Sequence, residues 1–133
     1  IKTLLSNDMG VAFYVTIEGL HFFHSGDLNW WRWPQESKEW NDGMEKIYKE
    51  EMKRLKDLPL DFAFIPADPR LGDNYLLSVR YFIDKIRPDE CLIFPMHFGD
   101  DWKVFDSLKN DGYLDDEIVI PITHRGQKFE VYK

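Results

Sequence analysis

The stretch Asp61-Phe62-Ala63-Phe64-Ile65-Pro66-Ala67-Asp68-Pro69-Arg70 decides the fold. Its apolar core, Phe62 to Ile65, is too short for a helix and fits a strand buried on both faces, which Pro66 then closes. Segments of helical period flank it. On the N-terminal side Trp40, Met44, Ile47, Tyr48, Met52 and Leu55 recur at offsets of three and four, predicting one apolar helix face. Glu45 with Lys49 and Glu50 with Arg54 are favourable i,i+4 pairs on the remaining surface, and Pro59 stops the helix. On the C-terminal side Leu76, Val79, Ile83 and Ile86 line a second helix, capped by Asp73 or Asn74 and ended at Arg87-Pro88.

Further out, Cys91-Leu92-Ile93-Phe94 is another buried strand. Val11 to Ile17, the Glu18-Gly19 turn and Leu20 to His24 form an antiparallel pair. A third, shorter helix carries Trp102, Phe105 and Leu108, with Gly112 just beyond. Glu117-Ile118-Val119-Ile120 and Lys128-Phe129-Glu130-Val131-Tyr132 are expected as two closing strands around a turn containing Gly126. Strand, helix, strand, helix, strand through the middle calls for right-handed crossovers and parallel neighbours, and the flanking hairpins make the sheet mixed. The expectation is one α/β domain over residues 1–133.

Composition narrows the function classes. The chain has 133 residues, 44% hydrophobic and 31% charged, which fits a globular domain rather than a disordered one. A net charge of −7 argues against a nucleic-acid partner, which needs a concentrated Lys/Arg surface. No apolar run approaches the ~20 residues that span a bilayer, so no membrane partner is expected. The single Cys91 excludes an internal disulfide and a Cys-built zinc site, and its apolar setting predicts a buried structural thiol. The first residues show no signal-type stretch, and the lone, buried thiol makes a reducing cytoplasm the expected compartment. The absence of an initiator Met reads as a trimmed product.

Three strands run directly into polar segments: His24-Ser25-Gly26-Asp27, Pro66-Ala67-Asp68-Pro69 and Pro95-Met96-His97-Phe98-Gly99-Asp100. If the strands are parallel, these segments lie side by side at the C-terminal edge, where open α/β sheets bind ligands. A carboxylate and an imidazole converging there are ligand types for zinc, manganese or iron. Other readings stand beside this one. Asp27 after Gly26 suits a turn residue bonding its own backbone, and Asp68 between prolines suits a loop brace. His21 shares the face of Phe23 and His24 that of Phe22, so either fits a core or edge imidazole. His124 falls in a late loop and is expected to be exposed. Trp30-Trp31-Arg32-Trp33 suits buried packing, a subunit contact or a sugar platform.

Gly10-Val11-Ala12-Phe13-Tyr14-Val15, then Phe22-Phe23-His24-Ser25-Gly26-Asp27-Leu28-Asn29, then Asp61 to Arg70, then Phe94-Pro95-Met96-His97-Phe98-Gly99 resemble the C-terminal half of a metallo-β-lactamase-fold hydrolase. The resemblance covers nearly the whole chain. It implies half of an αββα sandwich, a mixed sheet with helices on one face, and hydrolysis by metal-bound hydroxide. It also implies that Asp27 and His97 are metal ligands, with zinc or manganese in the complete protein. His24, Asp68 and Trp30 are candidates for the surrounding pocket. The family's main motif, His-x-His-x-Asp-His, belongs to its N-terminal half, and neither a His-x-His nor an Asp-His pair occurs here. A catalytic zinc normally takes three protein ligands. The chain is therefore expected to be a portion of a hydrolase, inactive without the N-terminal half. The alternative is a non-catalytic half-domain that self-associates as a structural or binding module. Either way the uncovered sheet face is expected to be covered, by the missing half or by a second copy in a homodimer. The substrate is not legible in these residues.

Overall fold

In the computed structural model, which describes residues 1–132, the polypeptide forms an α/β fold with a five-stranded mixed sheet and three helices. The strands are β1 (Lys2–Leu5), β2 (Val11–Ile17), β3 (Leu20–His24), β4 (Phe62–Pro66) and β5 (Leu92–Met96), and they lie in the order β1-β2-β3-β4-β5. The first three pair antiparallel, while β3, β4 and β5 run parallel. The register aligns His24 with Phe64 and Phe64 with Phe94, so β3, β4 and β5 end at one edge of the sheet.

Alternation along the strands sorts the side chains into two faces. Leu4, Ala12, Tyr14, Phe23, Ala63, Ile65 and Ile93 point to one face. There they form a single core with Tyr48 and Met52 of α1 (Lys38–Met52), Val79 of α2 (Leu77–Tyr81), and Phe105 and Leu108 of α3 (Val104–Asn110). Ser37 caps α1 by accepting from the Trp40 N–H at 3.1 Å. A 3-10 turn extends α1 over Lys53–Leu55, and a π turn extends α2 over Phe82–Ile86.

The opposite face carries an aromatic ladder. Phe22 stacks on Phe62 at 5.0 Å between ring centroids, Phe64 on Phe94 at 5.3 Å and His24 on Phe64 at 5.7 Å. The C-terminal segment straps part of this face, where Phe129 meets Phe94 edge-on at 5.4 Å. A cavity of about 760 Å³ lies between strap and ladder. Toward the antiparallel edge the face is uncovered: Leu5 is 66%, Phe13 42% and Ile17 55% exposed.

Three local expectations need correction, and one strand was not anticipated. Glu117–Ile120 and Lys128–Tyr132 do not form a hairpin. Val119 makes one parallel bridge to Ile93, and Pro121, with no N–H, follows at once where a longer ladder needs a donor. Helix α2 is not capped by Asp73 or Asn74. Gly72, at φ 58°, kinks the 3-10 segment Pro69–Asn74 that precedes the helix, and Asn74 instead donates to the Arg32 carbonyl. The inner face of α1 is narrower than its period suggests. Trp40 and Ile47 are exposed, while Asn41 is buried by two 2.9 Å bonds to the Trp33 backbone. Finally, β1 is a strand that the opening residues did not announce. Among the described residues no helix is long and apolar enough to cross a membrane.

Candidate functional site

The three parallel strands deliver Asp27, Asp68 and His97 to one edge, each through a different local device. After β3 the Ser25 N–H donates to the Phe64 carbonyl at 3.0 Å, and the Leu28 N–H returns to the Ser25 carbonyl, also at 3.0 Å. The Ser25 hydroxyl donates to the Leu28 carbonyl, closing a tight turn with Asp27 inside it. Gly26 sits at φ 57°, and a Cβ there would lie 2.9 Å from the Val11 carbonyl oxygen, so this turn requires glycine.

After β4 the Ala67 N–H donates to the Met96 carbonyl at 2.9 Å, carrying the parallel pairing one residue past the strand. Asp68 follows and is only 1% exposed. Its carboxylate accepts from the Arg70 backbone N–H at 3.0 Å and from Arg70 Nε and Nη2 at 3.0 and 2.6 Å. Burial pushes the Asp68 carboxyl up, but the bonds and charge of Arg70, together with the bond to His97, outweigh it and hold the group below the usual carboxylate range.

After β5 His97 adopts φ 67°, a left-handed conformation that histidine enters more readily than most residues. Its imidazole is clamped between the two carboxylates, Nδ1 at 3.0 Å from Asp68 Oδ2 and Nε2 at 3.0 Å from Asp27 Oδ1. Trp31 meets the ring edge-on at 5.3 Å, and its indole Nε1–H donates to the Asp27 carbonyl at 3.0 Å. The bonding order is therefore Arg70, Asp68, His97, Asp27, with the buried Asp68 carboxylate joining the guanidinium to the imidazole.

This order has a chemical consequence. With one ring proton, Nδ1–H donates to the buried, charge-stabilised Asp68, and Nε2 turns its lone pair toward the Asp27 carboxylate. Two acceptors then face one another, which a proton or a cation can bridge. A carboxylate behind a histidine ligand is the usual way to set its tautomer and raise its basicity. Asp27 and His97 are donor types that ligate metals, two where a catalytic zinc takes three protein ligands. Asp68 lies behind the ring, on its other nitrogen. Among the described residues no group of three His, Cys, Asp or Glu is placed to hold an ion.

Of the remaining candidates, His24 and Trp30 lie outside this cluster. His24 stacks on Phe64 on the open face, its Nδ1 accepts from the Gly26 N–H at 3.1 Å, and burial lowers its pKa. Trp30 packs against Tyr48 and Tyr81, with the Lys49 ammonium 4.4 Å from its ring centre. His21 pairs with Asp61 at 3.3 Å, and His124 is exposed beside Thr123. Cys91 is buried. Arg70 is the participant that sequence reasoning passed over as a site residue, and Trp31, read there only as packing, a subunit contact or a sugar platform, stands against the imidazole. The Asp-Pro-Arg spacing that lets a guanidinium fold back on the preceding carboxylate was the available signal for Arg70. Compared with family models, curated proteins and solved structures, the chain matches none.

Proposed function

We propose that this chain is a portion of a metal-dependent hydrolase of the metallo-β-lactamase superfamily, holding part of the metal site. The observation that supports this most is the clamped imidazole, with buried Asp68 at Nδ1 and Asp27 at Nε2, both at 3.0 Å. Asp27 and His97 would be the ligands, and Asp68 would orient His97. A zinc or manganese ion there would acidify a bound water and polarise the scissile group. The third ligand would come from an N-terminal half, packed on the sheet face where Leu5, Phe13 and Ile17 are exposed.

Calorimetric titration of the isolated chain with zinc and manganese tests the reading. Weak binding is expected, lost in Asp27→Asn and in His97→Gln, with no turnover of phosphodiester, lactam or thioester model substrates. Vigorous metal-dependent turnover by the chain alone would overturn the half-site view, and zinc binding unaffected by both substitutions would overturn the ligand assignment. An upstream coding segment containing His-x-His-x-Asp-His would add direct support.

The same exposed face favours a second reading, a non-catalytic half-domain that pairs with its own copy. A two-fold dimer burying Phe13 and Ile17 would imitate an intact sandwich.

A further inference from the structure

Arg70 lines two cavities. One, of about 430 Å³, is shared with Asp68, His97 and Phe98, and the other, of about 350 Å³, has Asp8, Trp31, Trp33, Trp40 and Met44 in its walls. We propose that the second cavity is a binding subsite for a neutral sugar ring, backed by Trp31, the indole that also contacts His97.

Its walls are flat and aromatic. Trp31 and Trp33 lie nearly parallel, 8° between planes and 5.8 Å between ring centroids. Trp31 is 3% exposed and serves as backing, whereas Trp33 is half-buried and Trp40 is 37% exposed. An indole face presented to solvent covers the C–H face of a pyranose or furanose, because both are broad and apolar. The polar groups on the same walls are of opposite sign. The guanidinium of Arg70 sits 5.6 Å from the Trp33 ring, and its Nε and Nη2 are held by Asp68, which fixes its direction. Asp8 supplies a carboxylate to the same cavity, and its charge reaches Arg70.

That pairing selects among ligands. An anion meets the Asp8 carboxylate in this cavity, and a cation meets the Arg70 guanidinium. A neutral polyol gains from both, since each hydroxyl donates to a carboxylate and accepts from a guanidinium. Trp31 connects the two sites, stacked on Trp33 at 5.8 Å and in a T-shaped contact with His97 at 5.3 Å, so the cavity and the imidazole share one indole. The inference deepens the hydrolase reading by naming a glycosyl group as part of the substrate, and its test needs neither metal nor turnover.

The metal-free chain is titrated, by calorimetry and by tryptophan fluorescence, with methyl glycosides and disaccharides of gluco, galacto, manno and ribo configuration. Phenyl phosphate and choline serve as charged controls. At least one neutral saccharide is expected to saturate with a dissociation constant on the order of 1 mM. Trp40→Ala and Asp8→Asn, both at exposed positions, should each weaken it about tenfold while leaving thermal unfolding unchanged. Trp33→Ala should abolish it. The proposal is overturned if no neutral saccharide saturates, if phenyl phosphate or choline binds more tightly than every saccharide, or if saccharide binding is indifferent to Trp40→Ala. Such a failure leaves the zinc titration of Asp27 and His97 untouched.

Discussion

Asp68 is the residue whose chemistry reaches furthest. It is buried, carries the Arg70 guanidinium on one side and holds His97 Nδ1 on the other. Asp68→Asn keeps the shape but removes the charge, and is expected to destabilise the fold by ~1–3 kcal/mol in urea unfolding. If the imidazole is a ligand, the same change should weaken zinc binding by about 10- to 100-fold, as loss of a carboxylate behind a histidine typically does. The pH dependence follows from the depressed pKa. The unfolded Asp68 titrates near ~3.9 and the folded one below it, so below that value the unfolded chain binds the extra proton. The stabilisation is full above ~4 and is lost as pH falls through the folded value. Acid unfolding of wild type and Asp68→Asn should therefore converge at low pH and separate as pH rises; parallel curves would show that Asp68 is not the source. Gly26 makes a second point at this scale. Gly26→Ala would force a Cβ to 2.9 Å from the Val11 carbonyl at a positive φ, and should cost about 1–3 kcal/mol and displace Asp27. Chemical denaturation and loss of the Asp27–His97 contact in NMR check it.

Among the elements, α1 shows how local signals and packing divide the labour. Ser37 caps its first turn, and Lys49 pairs with Glu45 at 2.6 Å. Ser37→Ala should cost ~1 kcal/mol of stability, read as a lower thermal midpoint, because it strands one helix-terminal N–H. The apolar period located this helix but not its buried edge. Asn41 outcompetes Trp40 for the interior because its amide can satisfy both Trp33 backbone groups, which an indole cannot. The C-terminal segment misled in the opposite way. Its β-branched and aromatic residues have strand propensity, but propensity gives no partner. With Pro121 interrupting the donors, the chain lies as a strap that packs Phe129 on Phe94.

For the whole molecule, the governing feature is a sheet covered by helices on one face and only partly strapped on the other. Leu5, Phe13 and Ile17 form the uncovered part, and Val15 between them is half-buried. We expect the isolated chain to self-associate through this face. Light scattering should show a concentration-dependent dimer, reduced to monomer by Phe13→Lys combined with Ile17→Lys, with circular dichroism unchanged. A monomer at high concentration without the substitutions would mean that the strap suffices.

The amino-acid sequence by itself determined the hairpin, the two buried parallel strands, the three helices and the α/β class, because each rests on short-range periodicity and on proline or glycine punctuation. It also placed Asp27, Asp68 and His97 at strand ends, since polar residues directly after a buried run mark where a strand leaves the core. Only the tertiary structure decided that β3, β4 and β5 end in register, that Asp68 grips Arg70 and His97 at once, and that Trp31 rather than Trp30 stands against the imidazole. Those are contacts between residues far apart in the chain. Their partners are fixed by sheet register and by rotamers that packing selects, and neither quantity is written in local spacing.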